Sequence, residues 1–365
     1  MMWTGLTEFA QGLLGRGEAT LAVPPFDGAL KPNQKLEQAE TVLEAEAPED
    51  LASDGENLFL AVGPRLMRVG NGSATLVRSF DAPITALACL AGGRLAVALR
   101  GRDLSVYAAP DAAAPEVVFA TAGRSLNALA SAGANALYAT DGSAQHDCDA
   151  WVWDLMQRGR SGRLLRFDLA SQQTSVVADK LRYAFGVAAM GERALVSESW
   201  SHRLVELGAK GAASVALPHL PVYPSRLAPA AGGGWWLTAF VARTQLVEFV
   251  LREPAFRKRM MAEIAPEHWI APRLSSSGSF KQPMQGAHLK TMGVVKPWAP
   301  PTSYGLVIRL DSVAQPRFSL HSRVDGVNHG VVAAAECGGF LYLIAKGPRR
   351  LLRLPLAGLA GDYSA

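Results

Sequence analysis

The chain returns six times to one strand-sized phrase: ENLFLA at 56–61, GRLAVA at 93–98, NALYAT at 135–140, RALVSE at 193–198, GWWLTA at 234–239 and GFLYLI at 339–344. Turn residues (Gly, Asn, Asp or Glu) stand before each copy, and an apolar run of strand length follows. A refrain spaced by a few dozen residues marks a repeat architecture, because one such unit cannot bury its own apolar face and must stack on neighbours. Six units of short strands predict an all-β fold, a six-bladed β-propeller closed into a ring.

The blades are read outward from the refrain. Blade one opens at Pro48, blade two at Ile84, and blade three at Leu126 with an insertion at Ser143–Ser161. Blades four, five and six start near Tyr183, Tyr223 and Asn328. Blade six runs out after three strands, so KLEQAETVLEA is expected to supply the fourth, within a closing segment at 35–47. Residues 1–34 read as an N-terminal extension, with Trp3, Leu6, Phe9, Leu13 and Leu14 on one helical face. Blade five is interrupted by a helical and irregular insertion at 241–303, longer than an ordinary connection and expected to act as a lid or a contact surface. The whole of 1–365 is expected to form one propeller domain.

Composition fits this reading. The 365 residues are 49% hydrophobic and 19% charged, with a formal net charge of +4. Basic residues are scattered, which argues against a nucleic-acid partner. Cys89, Cys148 and Cys337 form no CxxC pair, so neither thiolate zinc nor a disulfide framework is expected. No apolar run reaches the roughly 18 residues of a membrane span. The N-terminus lacks a basic region before its apolar stretch, and a cytoplasmic location is expected. GxSxG, HExxH, Walker and dinucleotide motifs are absent.

In a propeller the innermost strands run along the axis, so their first residues meet at one mouth of the channel. The refrain places Glu49, Thr85, Asn127, Phe185, Ser225 with Arg226, and Asn328 with His329 at that mouth. Glu49 and Arg226 are expected to pair there, since buried charges need partners. Arg226 is assigned to an anionic substrate, and His329 or Glu49 to proton transfer. Ser225, Asn127 and Asn328 are further polar contacts. Phe185, Trp200 and Tyr223 make an aromatic wall, with Glu198 beside it. His146, Asp147 and Asp149 read as an exposed polar loop rather than a metal site.

WDLMQRGRSGRLLRFDLASQQTSVVADKLRYAFGV at 153–187 and LKPNQKLEQAETVLEAEAPEDLASDG at 30–55 resemble the strictosidine synthase-like propellers, related to the SMP-30/gluconolactonase and paraoxonase lactonases. Within that group the chain looks nearest to bacterial members. The resemblance implies a small-molecule substrate at the channel mouth. Lactonases of the superfamily hold a divalent cation with a Glu, two Asn and an Asp. Glu49 and Asn127 match two of these places, whereas Phe185 and Ser225 stand at the others. No cofactor is therefore expected, and a cation such as Ca2+, if held at all, falls to Glu49 and Asn127. Strictosidine synthase uses a glutamate on the inner strand of blade six, where this chain has Val332. The reading that emerges is a lactone or ester hydrolase. A non-catalytic sensor or sequestering propeller is the first alternative, and an amine–aldehyde condensing enzyme the second.

Overall fold

The computed structural model describes residues 23–70, 72–120, 122–208, 212–275, 303–323 and 326–359. The expected helix at 3–14 and the insertion residues 276–302 lie outside them.

Six antiparallel four-stranded sheets are present. Blade one is β2 (Pro48–Ser53), β3 (Leu58–Val62), β4 (Arg65–Val69) and β5 (Ala74–Ser79); blade two is β6 (Ile84–Cys89), β7 (Leu95–Leu99), β8 (Asp103–Tyr107) and β9 (Val117–Phe119). Blade three is β10 (Leu126–Ser131), β11 (Ala136–Asp141), β12 (Gly162–Asp168) and β13 (Gln173–Leu181). Blade four is β14 (Ala184–Met190), β15 (Arg193–Glu198), β16 (Arg203–Leu207) and β17 (Ala213–Leu217). Blade five is β18 (Val222–Pro229), β19 (Trp235–Ala242), β20 (Leu306–Leu310) and β21 (Pro316–His321). Blade six takes β22 (Val331–Cys337), β23 (Phe340–Ala345) and β24 (Arg350–Pro355) from the end of the chain and β1 (Glu40–Glu44) from its beginning.

Each refrain is the second strand of its blade, packed on both faces. Leu58–Val62 and Trp235–Ala242 are buried at every position. Outermost strands carry the solvent face, where Leu76, Val176 and Val215 are exposed. The ring closes where β1 pairs with β24, with Glu40 opposite Arg353 and Glu44 opposite Arg350 in the ladder and in ion pairs. Leu36, fully buried, and the Asn328 Nδ2 bond to the Leu36 carbonyl (2.7 Å) tie the segment before β1 to blade six.

The inner strands β2, β6, β10, β14, β18 and β22 pack side by side around the axis. Each has an irregular register against its partner, at Pro48/Leu51, Ile84/Ala86, Leu126/Ala128, Ala184/Val187, Pro224/Leu227 and Val331/Ala333. A bulge leaves main-chain groups outside the ladder. Here all six fall at the residues that converge on the axis, so their carbonyls must find partners elsewhere.

Among the described residues three α-helices interrupt the blades: α1 (Trp151–Gln157) in blade three, and α2 (Gln245–Arg252) and α3 (Pro254–Glu263) in the blade-five insertion. Thr244 caps α2 by accepting from the Val247 N–H, and Pro254 opens α3 at a position that needs no N–H. Val250 of α2, Met260 of α3 and Trp269 pack with α1 and the blade-four and blade-five aromatics into one apolar cluster. Among the described residues no helix is long and apolar enough to cross a membrane.

Candidate functional site

The bulged carbonyls explain the position of Arg226. Its side chain, 5% exposed, rises from β18 onto the axis. Nε donates to the Asn127 carbonyl (2.8 Å), Nη1 to those of Glu49 (3.0 Å) and Val332 (3.4 Å), and Nη2 to that of Thr85 (2.8 Å). These carbonyls come from blades three, one, six and two. The guanidinium carbon also lies 5.3 Å from the ring centre of Phe185 in blade four, a cation–π contact. The two remaining bulge carbonyls take hydroxyl donors, Phe185 from Thr140 (2.5 Å) and Ser225 from Ser197 (2.6 Å). One side chain of blade five thus touches the other five blades.

The same guanidinium meets two carboxylates, Glu49 Oε1 at 3.3 Å and Asp50 Oδ1 at 3.2 Å. Glu49 Oε2 accepts from Lys346 Nζ at 2.6 Å. Burial opposes ionisation of Glu49, but Lys346 and Arg226 outweigh it and hold its pKa below the ordinary value. Asp50 points the other way along the channel. Burial pushes it up to about 6, against the Arg226 charge and the N–H groups of Leu87 and Leu51.

Above this floor lies a cavity of about 670 Å³. Glu49, Thr85, Asn127, Phe185 and Val332 form its base, and Arg100, Arg102 and Lys346 bring positive charge to its side. Trp151, Tyr183, Trp200 and Phe240 build an aromatic wall, and Leu274 reaches it from the blade-five insertion. Tyr183 stacks on Trp200 at 4.4 Å, and Trp151 meets Phe240 edge-on at 5.4 Å. Trp200 is fixed from behind, its Nε1 donating to Asp154 Oδ1 at 2.7 Å. A smaller cavity of about 280 Å³ opens on the other side of Arg226, past Asp50.

Of the residues expected at the site, Glu49, Asn127, Phe185 and Trp200 line the central cavity. Arg226 lies beneath it, its donors already directed to carbonyls and carboxylates, so it does not present a fork to a substrate. Asn127 keeps its Nδ2 on the Ala184 carbonyl (3.1 Å) and its Oδ1 near Ser125 Oγ (3.4 Å). Tyr223 stands behind Trp200 and Phe240, its hydroxyl on Glu248 (3.4 Å). Ser225 is buried against Thr238 Oγ1 at 2.7 Å. Glu198 accepts from the Arg182 N–H (2.7 Å) and Arg203 Nε (2.6 Å), a turn-fixing role.

His329 is also away from the cavity. Its Nδ1 lies 2.6 Å from Ser303 Oγ, and its Nε2 lies 2.7 Å from the Arg323 carbonyl, so both ring nitrogens are engaged. The neighbouring Asn328 holds the N-terminal segment rather than a ligand. Asn328 and His329 precede β22, so the axial place in blade six falls to Val332 and these two side chains pack away from the channel. In the blade-three loop, Asp147 pairs with Arg102 (2.9 Å) and Arg124 (3.3 Å), while His146 bonds Gln157 (2.7 Å).

Lys346, Asp50 and the Arg100–Arg102 edge were not singled out from sequence. Lys346 stands two residues after the last refrain, so the register that located Glu49 could have found it. Nor do the axial residues fit a divalent cation. Phe185 and Ser225 replace two ligands, Asn127 is turned to a carbonyl, and the Arg226 guanidinium occupies the centre. Among the described residues no three His, Cys, Asp or Glu side chains form a metal-binding group.

A family model described as strictosidine synthase matches residues 127–205. The adipocyte plasma membrane-associated protein of Mus musculus is 26% identical over 310 residues, spanning 71% of this chain and 72% of that protein. Its Homo sapiens counterpart is 24% identical over 315 residues, spanning 71% and 72%. These relatives are vertebrate proteins and give the expected bacterial affiliation no support. Among solved structures, a luciferin-regenerating enzyme superposes with a TM-score of 0.52 at 13% identity, over 89% of this chain and 95% of that one. A gluconolactonase from Xanthomonas campestris gives 0.52 at 15%, over 92% and 97%. At such identities the likeness establishes the fold. The chain is a six-bladed propeller that carries a strictosidine synthase family match across blades three and four and shares its fold with gluconolactonases.

Proposed function

We propose that the protein is a small-molecule hydrolase that opens a lactone or ester in the central cavity without a metal ion. The observation that carries this reading is Glu49, a carboxylate held ionised by Lys346 and Arg226 at the floor of an aromatic-walled cavity. A volume near 670 Å³ suits a small organic ligand. The apolar body of such a substrate would lie on Trp151, Tyr183, Trp200 and Phe240. Its anionic or carbonyl oxygen would face Lys346 and Arg100.

Glu49 then accepts a proton from water as the water oxygen bonds to the carbonyl carbon. Lys346 stabilises the negative oxygen that forms, a task suited to a fixed cation in a water-poor site. The carbon–oxygen bond to the leaving alcohol breaks, and the proton on Glu49 passes to that alcohol. The described part of the insertion, through Leu274, shields this chemistry on one side.

A panel of lactones and aryl esters tests the reading. Glu49→Gln should lower kcat by about a hundredfold or more, the usual weight of a general base, while a non-hydrolysable analogue still binds. Turnover untouched by this substitution overturns it. One observation favours a second reading, a binding propeller without turnover: His329, the expected partner in proton transfer, is packed elsewhere, and Asp147 on the cavity wall is tied to Arg102 and Arg124. Tight binding with no turnover across the panel would select it. Amine–aldehyde condensation is the least supported, since Val332 lines the cavity where that chemistry places a glutamate.

A further inference from the structure

A second pocket, of about 460 Å³, shares Trp200 with the central cavity but has a different chemistry. Four arginines line it: Arg158 after α1, Arg182 ahead of β14, Arg243 after β19 and Arg252 at the end of α2. Glu248 is the one carboxylate in the lining, and it is already engaged. Arg243 Nε lies 3.1 Å from it, His202 Nε2 3.2 Å and the Tyr223 hydroxyl 3.4 Å. Arg158 and Arg182 have no ion-pair partner among the described residues.

Like charges gathered at one concave surface repel, and Glu248, shared with Arg243 and His202, offsets the repulsion between Arg158 and Arg182 only in part. Burial, together with the Arg182 charge, depresses the pKa of Arg158 against Glu248; burial does the same for Arg252, with Arg158 and Arg243 adding to it, again against Glu248. The backbone points to the same place. Arg158, His202 and His219, all in the lining, have left-handed φ values of 57°, 51° and 55°. At Arg158 and His202 it is the left-handed cap that ends α1 and the short turn at Ser199–Ser201, which sets both residues on the pocket wall. Pro24, Leu155, Leu251 and Trp200 add apolar surface to the lining.

We propose that this pocket binds an organic phosphate, its phosphate between Arg158 and Arg182 and its apolar body against Trp200 and Leu155. A single carboxylate is satisfied by one guanidinium fork, whereas guanidinia arriving from separate loops match the several oxygens of a phosphate dianion. The volume also exceeds what an inorganic anion needs, given roughly 30 Å³ for a water molecule. The site is independent of the hydrolytic reading of the central cavity.

Phenyl phosphate is the probe, titrated into the full chain by calorimetry and 31P NMR, with inorganic phosphate and benzoate alongside. Phenyl phosphate is expected to bind with a Kd below about 1 mM and more tightly than either control. Arg158→Gln with Arg182→Gln should weaken it about tenfold or more, each lost charge-assisted bond weighing on that scale, with an unchanged thermal midpoint because both side chains reach solvent. Glu49→Gln should leave the binding intact. Sedimentation with phosphatidic acid vesicles, lost in the arginine double variant, would show that the phosphate is carried on a lipid. Binding of the soluble probe alone would show a free metabolite, and either result supports the phosphate site. No binding of phenyl phosphate, equal binding of benzoate, binding unchanged in the double variant, or binding lost with Glu49→Gln overturns the proposal.

Discussion

Lys346 Nζ sits 2.6 Å from Glu49 Oε2, so a residue just past β23 in the last blade fixes the carboxylate of the first at the cavity floor. The pair has a direct consequence for pH. Lys346 is the leading charge holding the Glu49 pKa down against burial. Lys346→Met therefore raises that pKa, and the acid limb of any activity that needs ionised Glu49 moves to higher pH. A limb that stays in place would show that Lys346 does not set the charge state of Glu49.

Arg226 is the residue on which ring stability should depend most. Arg226→Leu leaves four carbonyls without this donor and the Asp50 carboxylate without its cation. Breaking a buried charge pair from one side costs about 3–5 kcal/mol. Urea unfolding should show a loss of at least that size, with Arg226→Lys intermediate because an ammonium cannot reach every carbonyl. A loss below about 1 kcal/mol would be incompatible with the hub role.

Asp50 gives stability a signature in mildly acid solution. Its carboxyl titrates near 6 in the fold against 3.8 ordinarily, because burial outweighs Arg226 and the N–H donors. Below 3.8 both states hold the proton. Between 3.8 and 6 only the folded state does, so this group's contribution declines as pH rises and is gone above 6. A shift of this size is about 3 kcal/mol. Unfolding free energies of Asp50→Asn and the parent, compared from pH 4 to 7, should change by that order in favour of the variant. Parallel profiles would contradict the assignment.

Gly186 sits where the backbones of blades four and five come close together. A Cβ there would collide with the Ser225 carbonyl oxygen and the Arg226 Cα. Gly186→Ala is expected to cost about 1–3 kcal/mol, the range for forced overpacking. It should also displace Arg226 from its carbonyls, which a combined Gly186→Ala, Arg226→Leu variant detects as a non-additive loss. Strict additivity would mean that the glycine acts only locally.

Closure by β1 can be tested by removing residues 1–45. Leu36 and Val42 leave the core, and the β24 edge is left unpaired. Burial of the two side chains alone stabilises by about 3 kcal/mol or more, so a lower thermal midpoint or aggregation is expected. Unfolding identical to that of the full chain would refute the closure role.

Blade number, strand identity and the axial register were legible because alternation and turn residues are local properties. Glu49, Asn127, Phe185 and Arg226 all follow from that register. What Arg226 does there was hidden, because its partners are main-chain carbonyls and every residue type carries the same one. His329 shows the opposite limit. The axial place in blade six belongs to Val332, three residues on, so His329 falls ahead of the inner strand and packs on Ser303, at the far end of the insertion and invisible to any local pattern. Lys346 was missed because a lysine after a strand carries no motif until the ring brings it to blade one.

The way Arg226 is held separates architecture from chemistry. A divalent cation at the axis would recruit side-chain oxygens, so the residues that bind it and the residues that keep the ring together would be the same ones. Here the hub grips backbone, and Thr85, Asn127 and Val332 supply it through atoms that survive any mutation of their side chains. The floor of the cavity can therefore be rewritten, residue by residue, while the blades stay joined. Such a ring is a ready starting point for new specificity, since altering what it recognises does not require rebuilding what holds it together.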